Sequence, residues 1–346
     1  FDREIQPILA DHCFACHGPD DQKRKSNLRL DVREDALKGG KSDGPAIVPG
    51  KPEASALMAR LTTQNADDAM PPAKEEHPVK PADLEKLRRW IAEGAPYARH
   101  WAFAPPVKPP VPAAIGAKAR LTPVDFFLAA RMAQDGLKFS PSAAPEQLCR
   151  RLYLDLIGLP PSPAEVKEFS RAARKDLPAA VAGLTDRLLA SEHYGEKWAR
   201  HWLDAARYAD SNGYEKDLAR EQWAWRDWVI QSLNRDLPYD QFLIEQIAGD
   251  LLPNRSQAQL IATGFLRNGM INEEGAIVPE QFRMEGMFDR LDVIGKSALG
   301  LTLQCAQCHS HKFDPISQTE YYGIFAFLNN TYEAQTWVYS AAQEQK

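Results

Sequence analysis

The sequence predicts an all-α protein in two parts, a small amino-terminal helical domain followed by a larger, irregular helical one. Three observations predict it. Apolar residues recur at helical spacing through most of the chain, few stretches alternate with period two, and one proline-dense segment, APPVKPPVP at 104–112, interrupts the helical pattern. At 346 residues the chain also exceeds what one hydrophobic core comfortably organises.

Taken in order, residues 1–12 read as a short helix with Ile5, Ile8, Leu9 and His12 on one face, running into the pentapeptide Cys13-Phe14-Ala15-Cys16-His17. Polar, Gly- and Pro-punctuated sequence over 18–50 predicts a long loop with a short strand at Leu28-Arg29-Leu30. Helices resume over 53–61 and 82–93, the second framed by Pro81 and Gly94 and buried along Leu84, Leu87 and Ile91, with Trp90 beside them. Five prolines in the nine residues 104–112 favour a semi-rigid extended connector. The expected domains are therefore 1–102, a linker over 103–122, and 123–346. In the last, helical periods cover 124–134, 145–156, 163–174, 178–189, 192–208, 221–235, 241–248, 257–266, 280–299 and 319–328, and a second pentapeptide, Cys305-Ala306-Gln307-Cys308-His309, follows the longest of them.

Composition excludes some partners. With 42 Lys and Arg against 47 Asp and Glu, the formal charge of −5 offers no domain-wide basic excess for nucleic acid. No apolar run approaches a bilayer span. Phe1 in place of an initial Met is what removal of a leader, or a trimmed boundary, would leave.

Four of the five cysteines sit in the two C-x-x-C-H pentapeptides, the attachment sequence for c-type haem. Two thiols one helical turn apart reach the two vinyl carbons on one porphyrin edge, and the adjacent imidazole lies under the iron. Zinc needs four ligands where each pentapeptide supplies three, and a redox disulfide of this spacing opens a helix in a βαβ setting that is absent. The reading is two c-type haems, with His17 and His309 as proximal iron ligands. Met70, in the proline-stiffened Met70-Pro71-Pro72, is the expected distal ligand of the first, with His77 and His100 as fallbacks. For the second haem the distal position stays open between His201, on a helix with Trp198 and Trp202, another side chain, and water. His311 is too close to His309 to reach the opposite face, and a hydrogen bond to a propionate or water suits it better. An open second iron would lie beside Arg207, Tyr208 and His311 as catalytic candidates; the plain alternative pairs Arg207 and Tyr208 with Asp204 or Asp210 as a brace. The three tryptophans 223, 225 and 228 cannot share one helical face, so at least one lines haem or core. Cys149, in an apolar helix, reads as a buried, inert thiol.

The stretches CFACHG from Cys13, LRLD from Leu28, IVPGKP from Ile47, MPP from Met70 and WIAEGA from Trp90 together resemble the planctomycete-type cytochrome c domain. LYLDLIGLPP from Leu152, HYGEKWARHWLDAARYADSNGYE from His193, PYDQFLIEQIAGDLLP from Pro238, IATGFLRN from Ile261 and LGLTLQCAQCHSHKFDPI from Leu299 are similar to the domain that follows it in large exported planctomycete and verrucomicrobial proteins. In such proteins a further large domain follows, so the resemblance implies that this chain is a piece or a processed product. It also implies a di-haem architecture and export. Thioether attachment takes place outside the cytoplasm, so the expected location is periplasmic or secreted. The expected function is a di-haem c-type cytochrome passing electrons to a redox partner or a larger electron-transfer complex. Two alternatives stand beside it: a haem oxidoreductase with its active site at the second haem, acting on a carbohydrate-derived substrate, and an assembly subunit of an electron-transfer complex.

Overall fold

The computed structural model describes residues 1–41, 44–72, 78–98, 103–113, 122–331, 335–339 and 343; the fallback ligands His77 and His100 lie outside them. Among the described residues the chain is 56% helical, with fifteen helices and no strand. In chain order these are α1 (Gln6–His12), α2 (Phe14–His17), α3 (Arg33–Lys38), α4 (Ala56–Thr62), α5 (Pro81–Ala92), α6 (Pro123–Gln134), α7 (Pro145–Leu156), α8 (Pro163–Ala173), α9 (Leu177–Leu189), α10 (Glu192–Ala205), α11 (Trp223–Asn234), α12 (Tyr239–Ala248), α13 (Gln257–Ala262), α14 (Pro279–Val293) and α15 (Gln318–Asn329).

Local chemistry explains the starts. Proline occupies the first turn of α1, α5, α6, α7, α8, α9 and α14, where its missing N–H and fixed φ cost nothing. Much of the proline content is therefore helix punctuation. Reciprocal capping boxes open α6 (Thr122 with Asp125), α8 (Ser162 with Glu165), α13 (Ser256 with Gln259) and α15 (Ser317 with Glu320).

Four local expectations need correction. The Leu28–Leu30 stretch forms no strand: Leu30 is buried and its N–H bonds the His17 carbonyl at 2.8 Å, which ties the chain to the pentapeptide instead of to a neighbouring strand. The loop around it holds the short α3. The helix expected over 192–208 stops at Ala205, because Arg207 adopts a left-handed φ of 53°. Tyr208 N–H then bonds Leu203 O at 2.9 Å and Arg207 N–H bonds Asp204 O at 3.0 Å, a Schellman termination that a glycine usually signals. The helix expected over 280–299 changes into a single π-helical turn, Ile294–Leu299, closed by Gly300 at φ 65°.

The chain divides into two compact units that do not follow its order: Phe1–Ala104 with Ala276–Glu333, and Pro105–Gly275 with Ala334–Lys346. The first unit is built on two cores. One joins Ile5, Leu9, Phe14, Leu30, Ile47, Leu87 and Ile91, with Phe1, Trp90 and Tyr97 in mutual ring contact at 4.7–5.8 Å. The other joins Leu291, Leu301, Leu303, Ala306, Ile316 and Tyr321 beneath the second pentapeptide.

In the second unit, α7, α8 and α9 enclose Cys149, Tyr153, Phe169, Leu184 and Leu188. Cys149 is fully buried and burial raises its thiol pKa, in keeping with an inert thiol. Tyr153 OH donates to Glu165 Oε1 at 2.6 Å, and Arg187 Nη2 approaches the same hydroxyl at 3.3 Å. Elsewhere Gly195 lets α10 meet α11 closely: a Cβ there would sit 2.4 Å from Ile230 O and 2.7 Å from the Asn234 amide, which accepts the Gly195 N–H.

Two predictions follow from this packing. Gly195→Ala should destabilise the chain by ~1–3 kcal/mol through overpacking, measured as a lower urea midpoint. Glu165, whose bond from Tyr153 lowers its pKa from 4.5 to about 2, contributes stability above its unfolded pKa and loses it as pH falls through the folded value. The thermal-stability advantage of the unmodified chain over Glu165→Gln should therefore shrink between pH 4.5 and about 2.

Candidate haem-attachment sites

The first pentapeptide sits where α1 bends into α2. Cys13 N–H bonds Leu9 O at 2.8 Å, continuing α1, and His17 N–H bonds Cys13 O at 2.8 Å, so one helical turn separates the two thiols. Both sulfurs are half-buried. Burial, with the neighbouring Cys16 thiol adding to it, pushes the Cys13 thiol pKa up to about 12. Burial also lowers the His17 pKa, which keeps the imidazole neutral; the Lys25 backbone opposes this and the Arg60 charge adds to it. His17 Nδ1 is buried without a hydrogen-bond partner. A neutral imidazole in a half-buried site is the form that binds a metal.

Met70 belongs to the same neighbourhood through Arg60. Its N–H bonds the Arg60 carbonyl at 3.0 Å, and Arg60 Nη1 donates to Asp68 O at 3.2 Å, while the Arg60 charge bears on His17. The half-buried Met70 loop is thus fastened to the end of α4 by the arginine whose charge acts on the His17 imidazole.

At the second pentapeptide the geometry differs. A 3-10 turn, Leu303–Gln307, carries Cys305, and the backbone leaves Cys305, Cys308 and His309 all exposed. Gly295 makes this presentation possible: a Cβ there would lie 2.6 Å from Leu303 Cγ and 3.0 Å from Leu301 O, so the chain leaving the π-helical turn packs directly onto it. His309 Nδ1 lies 2.9 Å from Ser310 O, and because a carbonyl only accepts, Nδ1 donates to it and Nε2 is the ring nitrogen left to meet a metal. Exposed apolar side chains flank the motif: Phe313, and Tyr322, whose hydroxyl donates to Gln307 O at 3.1 Å. Each donor set, a thiol pair and an adjacent imidazole with a nitrogen open to a metal, fits a covalently attached haem.

The segments that flank the two pentapeptides are joined by one clasp. Gln6 Nε2 on α1 donates to Phe313 O at 2.8 Å, and Lys312 pairs with Asp11. Asp11 is two residues before Cys13, and Lys312 three after His309.

Comparison with family models gives two matches. Residues 13–74 match Planctomycete cytochrome C (PSCyt1), and residues 123–333 match PSCyt2, described as a protein of unknown function (DUF1549). The second covers more than half of the chain. The chain belongs to the PSCyt2 family. The PSCyt1 match begins at Cys13 and spans His17 and Met70; it makes the amino-terminal part a cytochrome c domain with a covalently bound haem. The PSCyt2 match spans the second pentapeptide. No curated protein and no solved structure matches the chain. Among the described residues of this PSCyt2 protein, no helix is long and apolar enough to cross a membrane.

The other residues singled out from the sequence fall as follows. His311 is 7% exposed and fully engaged: its Nδ1 accepts the N–H groups of Phe313 (3.2 Å) and Asp314 (2.8 Å), and its Nε2 faces Thr302 Oγ1 (3.2 Å) and the Asp314 carboxylate (3.5 Å). It pins the loop after the second pentapeptide. His201 is exposed on α10 with its ring 5.6 Å from Trp198, and it belongs to the compact unit that does not contain His309. Arg207 and Tyr208 belong to that unit too, Tyr208 donating to Asp210 Oδ1 at 2.5 Å. Trp225 and Trp228 are buried while Trp223 is 49% exposed, so the three do divide between core and surface.

Sequence reasoning missed Gln6, Asp11, Lys312 and Phe313. No motif marks them, because their contacts join positions 307 and 301 residues apart.

In the haem-free PSCyt2 chain, iodoacetamide should label Cys305 and Cys308 at least about tenfold faster than Cys13, because the thiolate is the nucleophile and Cys13 is both shielded and poorly ionised. Peptide mass spectrometry after timed quenching reads the order.

Proposed function

We propose that this chain is a di-haem c-type cytochrome that relays electrons outside the cytoplasm. One haem would be held by Cys13, Cys16 and His17 with Met70 as distal ligand, the other by Cys305, Cys308 and His309. The observation that carries the reading is the clasp of Gln6 and Asp11 onto Phe313 and Lys312. Seven helical residues rise ~10.5 Å from Gln6 to Cys13, and three residues of chain extend at most ~11 Å from His309 to Lys312, so Cys13 and His309 each lie within about that reach of the clasp. Two separate haem modules would need no such join. A bound haem supplies reversible one-electron exchange at its iron.

The protein's part is to hold and bias the two sites differently. The first site sets the pentapeptide that carries His17 against a buried apolar core through Cys13 and Phe14, an environment that favours an electron-transferring iron. The second leaves His309 and both thiols exposed, which suits exchange with a redox partner at the surface. His311 accepts the N–H groups of Phe313 and Asp314, which ties down the loop that follows His309. The oxidoreductase alternative would place its chemistry at the second haem; no observation favours it over the relay.

The test is maturation of the chain in a host that attaches c-type haem. Intact mass should show two haem adducts, falling to one in Cys13→Ser/Cys16→Ser and to one in Cys305→Ser/Cys308→Ser. Spectroelectrochemical titration should show the potential of each haem shifting when the other is removed. A single adduct on the unmodified chain, or two potentials indifferent to each other's removal, would overturn the reading.

A further inference from the structure

Tyr208 directly follows the left-handed Arg207, so the Schellman turn at the end of α10 swings its ring off the helix and onto Trp225 of α11, with ring centroids 6.0 Å apart and planes 27° from parallel. Its hydroxyl donates to the carboxylate of Asp210, which is exposed to solvent. Arg226, which hydrogen-bonds the phenol, and Arg220 are the charged groups that bear on this pair.

Trp225 is 2% exposed, and its indole N–H is buried without an acceptor. That is unlike Trp90, Trp198 and Trp202, whose N–H groups bond Pro96 O, Leu156 O and Gln246 Oε1 at 2.9, 3.2 and 2.8 Å. Behind Trp225 the aromatic contacts continue through Phe265 (6.4 Å) to Trp202 (5.7 Å, planes 24° apart).

The two rings differ in what happens when an electron leaves. An oxidised indole becomes a strongly acidic cation, and the Trp225 proton has nowhere to go, so the charge stays on a buried ring at a cost. An oxidised phenol also sheds its proton, and Tyr208 already points that proton at a carboxylate within hydrogen-bond reach. The electron deficit therefore runs downhill from Trp225 to Tyr208.

We propose that Tyr208 is a one-electron redox site, giving its electron through Trp225 to a strongly oxidising metal complex and its proton to Asp210. The oxidant takes one electron from Trp225, and Tyr208 returns one electron to Trp225. The phenolic O–H bond breaks and an O–H bond forms on Asp210 Oδ1. The net result is a neutral tyrosyl radical, a protonated Asp210 and a reduced oxidant. The site goes beyond the haem relay and needs neither attachment motif.

The experiment uses the full haem-loaded chain in its ferric state, with photogenerated tris(bipyridyl)ruthenium(III) as oxidant, freeze-quenched for electron spin resonance. Ring-deuterated tyrosine separates a tyrosyl from a tryptophanyl signal. A tyrosyl radical is expected. It should fall at least about tenfold in Tyr208→Phe, where a tryptophanyl signal persists, and about tenfold in Asp210→Asn, which keeps the packing but removes the charged acceptor. Circular dichroism confirms that each variant folds, and should Tyr208→Phe fail to fold, Asp210→Asn alone decides. Undiminished tyrosyl yield in either folded variant, or a signal that is tryptophanyl in the unmodified chain, would overturn the proposal.

Discussion

The return of residues 276–333 onto the amino-terminal unit is the constraint on which the arrangement of both pentapeptides depends. The clasp that marks it is energetically modest. Lys312 and Asp11 are each about half exposed, and an ion pair in that setting is worth at most ~1 kcal/mol. The register comes from packing: Leu291, Leu301, Leu303 and Tyr321 form a small core under the second pentapeptide, and the Gln6 amide fixes one carbonyl of the loop that leaves it. The ion pair reports where the segments lie more than it holds them there.

The same economy of means separates the two sites. The first is set into a core, where burial raises one thiol and lowers the imidazole. The second is displayed on a turn whose neighbours do the stiffening. His311 illustrates the difference: with both ring nitrogens engaged it acts as a fastener, while His309, two residues earlier, keeps a nitrogen open.

Much of the helical content was legible because it rests on local rules: proline in first turns, capping boxes at Thr122, Ser162, Ser256 and Ser317, and apolar stripes of period 3.6. Helix ends were harder to read. Arg207 takes a conformation normally left to glycine, and Gly295 matters for what passes over it, which no sequence window reveals. The two pentapeptides were legible because their spacing is the one a porphyrin edge would dictate. Their mutual placement was not, because it arises from contacts such as Gln6 with Phe313, whose partners are three hundred residues apart and individually unremarkable in type. Arg207 and Tyr208 belong to one compact unit and the second pentapeptide to the other, a division that no sequence window marks.

The discontinuous first unit has a consequence for biogenesis. A polypeptide emerging amino end first presents Cys13 and Cys16 long before the segment that completes their unit exists. During that interval the α1–α2 corner lacks its partner loop, while Pro105–Gly275, most of the second unit, is already made. Any ligation machinery acting on the early thiols therefore meets an open corner, and the late pair arrives together with the loop that shuts it.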